Sequence, residues 1–174
     1  MDAGKRIFIF AGPNGAGKTT FATEYLPHDV ECPVFVNADS IAAGLSPLEP
    51  PSVSFRAGRL LLETINEHVA TGRSFAFETT LSGLAYSRSI PVWQGLDYFV
   101  SLFYLRLPSA EMAIDRVRQR VSVGGHDVPE AVIRRRFHAG WRNFENIYRE
   151  LVDEWRIYDN SGPEPVLLSS GGKR

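Results

Sequence analysis

The chain has 174 residues, 44% of them hydrophobic, and a formal net charge of −1. That length suits one α/β domain with a proper core. The near-neutral charge argues against binding long nucleic acid across a basic face, and no apolar run is long enough to span a membrane. A single cysteine, Cys32, excludes an internal disulfide and a cysteine-based zinc site. The first strand begins too early to leave room for a signal peptide, so the expectation is a cytoplasmic protein.

Residues 5–11 read as a first strand, carried by the apolar run Ile7-Phe8-Ile9-Phe10-Ala11. Gly12-Pro13-Asn14-Gly15-Ala16-Gly17-Lys18-Thr19 follows, and a helix begins at Lys18. This is the G-x-x-x-x-G-K-[ST] pattern with a strand before it and a helix after it. Its glycines free backbone N–H groups to converge on phosphate oxygens, and the helix aims its positive dipole end at the same point. Lys18 is placed to reach β- and γ-phosphates and the Thr19 hydroxyl to ligate Mg²⁺, so the pattern predicts binding of ATP or GTP.

A second strand is expected over residues 34–37, then a proline-rich loop over 45–52 and a long amphipathic helix over 54–70. In that helix Leu61, Ile65 and Val69 recur every fourth residue, and Gly72 suits the C-cap. A third strand is read over 73–77, ending at Glu78. Residues 84–95 read as a helix that Pro91 should kink or interrupt. A fourth strand, 98–107, is nearly continuously apolar, as burial on both faces demands. Ser109 is the expected N-cap of a helix to about Val121. Gly124-Gly125-His126-Asp127 breaks it, and Pro129 suits the first turn of a helix running towards Tyr148. A fifth strand spans 155–158, a short edge strand 166–168, and the tail 169–174 is expected to fray. The order predicts one doubly wound, mostly parallel sheet of five or six strands over residues 1–174.

Ligands in such a sheet lie beyond the carboxyl ends of the strands, which singles out three places. After strand two comes Asn37-Ala38-Asp39: Asp39 can help hold Mg²⁺, take a proton from an attacking hydroxyl, or cap a short helix over 40–43. After strand three comes Glu78-Thr79-Thr80, where Glu78 can bind substrate hydroxyls, polarise a metal-bound water, or bond to backbone amides. The third place is arginine-rich: residues 106–142 hold eight arginines against four acids. Arg116 and Arg120 are four apart and share a helix face. Arg134, Arg135 and Arg136 step round by about 100° each and cannot all face one ligand. Two helices, a Gly hinge and these arginines suggest a lid over about 109–140 that closes on a transferring phosphoryl group. His126 either touches substrate or stabilises its loop. No strict Walker B strand, no transporter signature and no guanine-reading motif is present; Asp39 is the nearest Walker B candidate, followed by Asp159. The Asp159-Asn160-Ser161-Gly162 turn is a candidate base-contacting loop.

Together, Ala11-Gly12-Pro13-Asn14-Gly15-Ala16-Gly17-Lys18-Thr19-Thr20, Asn37-Ala38-Asp39-Ser40-Ile41-Ala42 and Phe77-Glu78-Thr79-Thr80-Leu81-Ser82-Gly83 resemble zeta-toxin-like P-loop kinases. Arg120 with Gly124-Gly125-His126-Asp127-Val128-Pro129-Glu130, the run Arg134-Arg135-Arg136-Phe137, and Tyr158-Asp159-Asn160-Ser161 resemble the compact bacterial branch of that group. The resemblance implies phosphorylation of the 3′-hydroxyl of UDP-N-acetylglucosamine by Mg-ATP. It implies that residues 12–20 hold the nucleotide, with Lys18 on phosphate and Thr19 on Mg²⁺. It makes Asp39 the base, Glu78 and Thr79 substrate contacts, and Arg120 with Arg136 or Arg134 the phosphate clamp. An antitoxin partner is open, since the chain is shorter than the toxins that pair with a separate antitoxin. Two further functions are weighed beside a small-molecule kinase: an ATP-dependent switch acting on a partner protein, and a kinase of nucleic-acid 5′-ends, disfavoured by the near-neutral charge.

Overall fold

Along the first strand, β1 (Arg6–Ala11), side chains alternate between two buried faces: Ile7 and Ile9 join one apolar cluster, Phe8 and Phe10 the other. A strand apolar on both sides belongs inside a parallel sheet covered by helices on each face. The computed structural model, which describes residues 4–27, 32 and 34–173, has that architecture. After β1 come α1 (Lys18–Tyr25), β2 (Phe35–Val36), α2 (Ala38–Leu45), a 3₁₀ turn (Pro50–Val53), α3 (Ser54–Ala70), β3 (Phe75–Thr79) and α4 (Ala85–Gly95). Then follow β4 (Phe99–Arg106), α5 (Ala110–Ser122), α6 (Glu130–Asn143), a π turn (Phe144–Tyr148), α7 (Arg149–Leu151), β5 (Glu154–Asp159) and β6 (Val166–Gly172).

The six strands form one sheet in the order β2-β3-β1-β4-β5-β6, parallel except for β6. β1 lies between β3 and β4, with Phe10 opposite Glu78 and Phe103. One face packs against α3, α4 and the π turn through Leu61, Ile65, Ile90, Trp93 and Phe144. The other packs against α1 and α5 through Phe21, Ala22, Ala113, Ile114 and Val117. Each such large apolar side chain contributes roughly 1.5–3 kcal/mol by leaving water. α5, part of the expected lid, thus packs on this face of the sheet.

Four expectations need correction. β2 is only the pair Phe35–Val36, and β3 starts two residues late, at Phe75. Gly72, at φ 68°, turns the chain there, and Tyr98 Oη donates to the Arg73 carbonyl at 3.0 Å before pairing with β1 begins. α4 runs through Pro91, which lies on its exposed side while Ile90 and Trp93 stay buried; core contacts hold the helix where the missing N–H weakens it. The tail does not fray from Ser169. β6 pairs antiparallel with β5 as far as Gly172, and Lys173 N donates to the Asp153 carbonyl at 3.0 Å. No side chain of β6 is buried, and its second half, Ser169-Ser170-Gly171-Gly172, carries no apolar signal. A Cβ on Gly171 would lie 2.5 Å from the Trp155 ring, and its absence lets the strand close on that ring.

Candidate functional site

The carboxyl ends of β1, β2 and β3 open into one cavity of about 500 Å³. The loop after β1 forms its floor. Gly12 takes φ 146° and Gly17 φ 80°, which side chains resist. A Cβ on either would also collide, with the Leu105 carbonyl at 2.5 Å or with Asn160 Nδ2 at 2.7 Å. These glycines let the loop lie flat on β4 and on the turn after β5. That turn is bolted down: Asn160 Nδ2 donates to the Ala16 carbonyl at 2.6 Å, and Arg116 donates to the carbonyls of Asn160 and Ser161, each at 2.8 Å.

Lys18 is buried, and Nζ donates to the Pro13 carbonyl at 3.0 Å. Burial pushes its amine below the usual lysine range, while the carboxylates of Glu78 and Asp39 pull it back up and Arg120 and Arg136 push it further down. It shares the cavity with four charged groups brought from α2, β3, α5 and α6: Asp39, Glu78, Arg120 and Arg136.

Beside it, Thr19 Oγ1 donates to Glu78 Oε2 at 2.7 Å and accepts from Asn37 Nδ2 at 3.2 Å. The second Oγ1 lone pair stays open to a metal. Asn37 is buried, and its Oδ1 caps α2 by accepting from Ser40 N at 3.0 Å. The cap is thus Asn37, not Asp39. Asp39 stands exposed in the first turn and lines the cavity.

Arg120 Nη2 donates to the His126 carbonyl at 2.6 Å, while Arg120 Nε and His126 Nδ1 are buried and have no hydrogen-bond partner among the described residues. Both residues line the cavity. Arg136, half-buried, reaches Asn14 Oδ1 at 3.5 Å. Burial lowers its pKa, Arg135 adds to that, and Asp39 opposes it.

Of the residues expected from sequence, Asn14, Gly15, Gly17, Lys18, Thr19 and Thr20 line the cavity, as do Asp39, Glu78, Thr79, Arg120, His126 and Arg136. Gly12, Pro13 and Ala16 shape the floor from beneath. Arg134 is the correction: it is exposed and paired with Glu111, away from the cavity. Asp159 is not at the metal position either. Its Oδ1 accepts from Ser161 N at 2.8 Å, and hydrogen bonding by the Ser161 side chain first and its N–H second holds its carboxyl below the usual range. The carboxylate at Thr19 is Glu78. Sequence reasoning missed the roles of Asn37 and Asn160, and it missed Ser54, Gly58 and Tyr86 in the wall.

The donor set fits a nucleoside triphosphate: a flat glycine-rich loop, a buried amine and the guanidinium groups of Arg120 and Arg136 line one cavity. Among the described residues no cluster of three His, Cys, Asp or Glu is placed to hold a metal. No helix of the described residues is long and apolar enough to cross a membrane.

The pattern of the family described as AAA domain matches residues 7–140. An uncharacterized protein of Haemophilus influenzae is 27% identical over 133 residues, 76% of this chain and 92% of its own length. A chain of the PezAT chromosomal toxin–antitoxin system of Streptococcus pneumoniae superposes with TM-score 0.68 at 14% identity, over 98% of this chain and 72% of that one. A chain of the Pnkp1/Rnl/Hen1 RNA repair complex gives 0.66 at 19% identity, over 84% of this chain but 47% of its own. Shikimate kinase from Acinetobacter baumannii gives 0.53 at 17% identity, over 88% and 83%. At these identities the three structures establish the fold.

Proposed function

Because the chain belongs to this AAA domain family and has the fold of P-loop kinases, we propose that it is an ATP-dependent kinase that phosphorylates a hydroxyl of a small molecule. One observation carries the reading: Asp39, Glu78, Arg120 and Arg136 line the same cavity as buried Lys18. An exposed carboxylate facing a cluster of cations is what transfer to an acceptor hydroxyl needs.

In this reading the glycine-rich loop and Lys18 hold the β- and γ-phosphates, and Thr19 is the protein's ligand to Mg²⁺. The metal, when bound, neutralises charge on the triphosphate oxygens. Asp39 accepts the proton of the acceptor hydroxyl. Arg120 and Arg136 balance charge on the transferring group from the opposite side. Thr79 and His126 contact the acceptor, and Glu78 orients the Thr19 hydroxyl. The zeta-toxin-like motifs make a nucleotide sugar such as UDP-N-acetylglucosamine the first acceptor to try, and the PezAT likeness supports looking for a partner protein.

The test is mass spectrometry of products from Mg-ATP and a panel of nucleotide sugars, nucleosides and oligonucleotides, beside Asp39→Asn and Lys18→Ala. One phosphate gained by UDP-N-acetylglucosamine and lost in both variants supports acceptor and base together. Transfer that survives Asp39→Asn removes the assigned base. The RNA repair likeness favours a second reading, a kinase of nucleic-acid ends; phosphate on the oligonucleotides alone selects it.

A further inference from the structure

The cavity wall is divided by charge. Its cations, Lys18, Arg116, Arg120 and Arg136, come from α1, α5 and α6. The part beyond Asp39 is built by α2, α3, the end of β3 and α4, and it contributes Ala38, Ser54, Gly58, Leu61, Thr80 and Tyr86. None of these carries charge; burial, with Tyr148 nearby, pushes the Tyr86 hydroxyl up to about 12, so it stays neutral. This lobe offers hydroxyls and apolar surface but nothing to pair with an anion.

Gly58 stands in the middle of it. It lies inside the 17-residue helix α3, between Ser54 and Leu61 on the same stripe. Glycine there weakens a helix relative to alanine. A glycine in a helix is often explained by a close neighbour, but a Cβ built on Gly58 would meet no atom of the described residues within 4 Å. Its absent side chain therefore serves no contact inside the protein, and the space it leaves opens on the cavity.

We infer that Gly58 is the specificity-determining residue of the acceptor lobe: it keeps open the room taken by the uncharged body of a ring-sized acceptor, such as a sugar, whose hydroxyl meets Asp39. In a nucleotide sugar the ring fills this lobe, and the diphosphate lies outside it. The inference rests on the kinase reading above.

The test uses Gly58→Ala and Gly58→Leu in the full chain. Four quantities are measured: thermal midpoint, affinity for Mg-ATP, ATP hydrolysis by water, and phosphorylated products formed from a small-molecule cell extract. Alanine should raise the midpoint by about 2–4 °C, as helix propensity dictates. Leucine should leave nucleotide affinity and hydrolysis unchanged but cut the phosphorylated product formed from the extract about tenfold or more, because a hydrophobic group now fills the lobe. Equal product formation by wild type and Gly58→Leu, with the midpoint raised, overturns the assignment and leaves the kinase reading standing. A wild type that hydrolyses ATP yet phosphorylates nothing overturns both. Should leucine fail to fold, Gly58→Ala against Gly58→Val carries the same comparison.

Discussion

Asn37 ties Thr19 to the helix that carries Asp39. Its amide donates to Thr19 Oγ1 at 3.2 Å, and its carbonyl oxygen accepts from Ser40 N at 3.0 Å. One buried side chain thus links the start of α1 to the start of α2, so the proposed metal ligand and the proposed base keep a fixed separation.

This arrangement predicts a split between stability and rate. Asn37→Ala removes both bonds. Loss of the cap costs about 1 kcal/mol, or about 2–4 °C in a chain of this size, and loss of the supporting contact lowers kcat about 10–100-fold. Asn37→Ser keeps a capping oxygen but cannot donate to Thr19 at that reach. Its midpoint should stay near wild type while kcat falls. Calorimetry and single-turnover kinetics on the two variants separate the roles; a serine variant of full activity would leave Asn37 as a cap alone.

Glu78 accepts the Thr19 hydroxyl proton at 2.7 Å and Asn37 occupies one lone pair, which leaves the other open to a metal. With Glu78→Gln the amide can donate to Thr19 instead, and the hydroxyl loses its fixed orientation. The gain in nucleotide affinity that Mg²⁺ brings should shrink, while affinity in the presence of a chelator stays the same. Titration calorimetry with and without Mg²⁺ reads this directly. An unchanged Mg²⁺ gain would return Glu78 to the acceptor side.

Much of this was legible in the sequence because its signals are local. The strand, glycine loop and helix of residues 6–25 are dictated by side-chain period and by glycines that must adopt positive φ. The placement of Asp39 and Glu78 follows from their positions at or just beyond the carboxyl ends of β2 and β3. What was not legible depends on tertiary context. β6 has no buried face, and its length is set by how Gly171 fits against Trp155. Arg136 was not separable from Arg134 by spacing alone, since helix phase needs an anchor. Buried Ile133 and Gly140 supply it: 136 lies midway between them in sequence and shares their side, while 134 turns out to Glu111. Asn37 was visible in its motif, yet its two bonds needed β2 to end one residue earlier than expected.

That phase difference gives a paired prediction. Arg136→Ala removes a cation beside Lys18 and should lower phosphoryl transfer about 10²–10³-fold. Arg134→Ala loses an exposed ion pair with Glu111 and should leave both transfer and thermal midpoint close to wild type. Steady-state rates on both variants decide it. Comparable losses in the two would mean that the whole run acts on the substrate.

Lys18 makes the chain's response to pH specific. Its pKa is lowered by burial from 10.5. Between the folded value and 10.5 the unfolded chain holds a proton that the folded chain has lost, so this residue adds stability as pH rises through that window; below it, the cost of a buried charge is fully present. A bound triphosphate acts the other way, since anionic oxygens favour the charged amine and raise its pKa. Nucleotide binding in that alkaline window must then take up a proton, and affinity must fall as pH rises through it. Calorimetric titrations in two buffers of different ionisation enthalpy, at one pH below 10.5, should give a positive proton count for wild type. Lys18→Arg stays charged throughout and should give none. If wild type takes up no proton anywhere in that window, the amine does not meet the triphosphate in its depressed state, and the phosphate must be held by the loop amides and arginines alone.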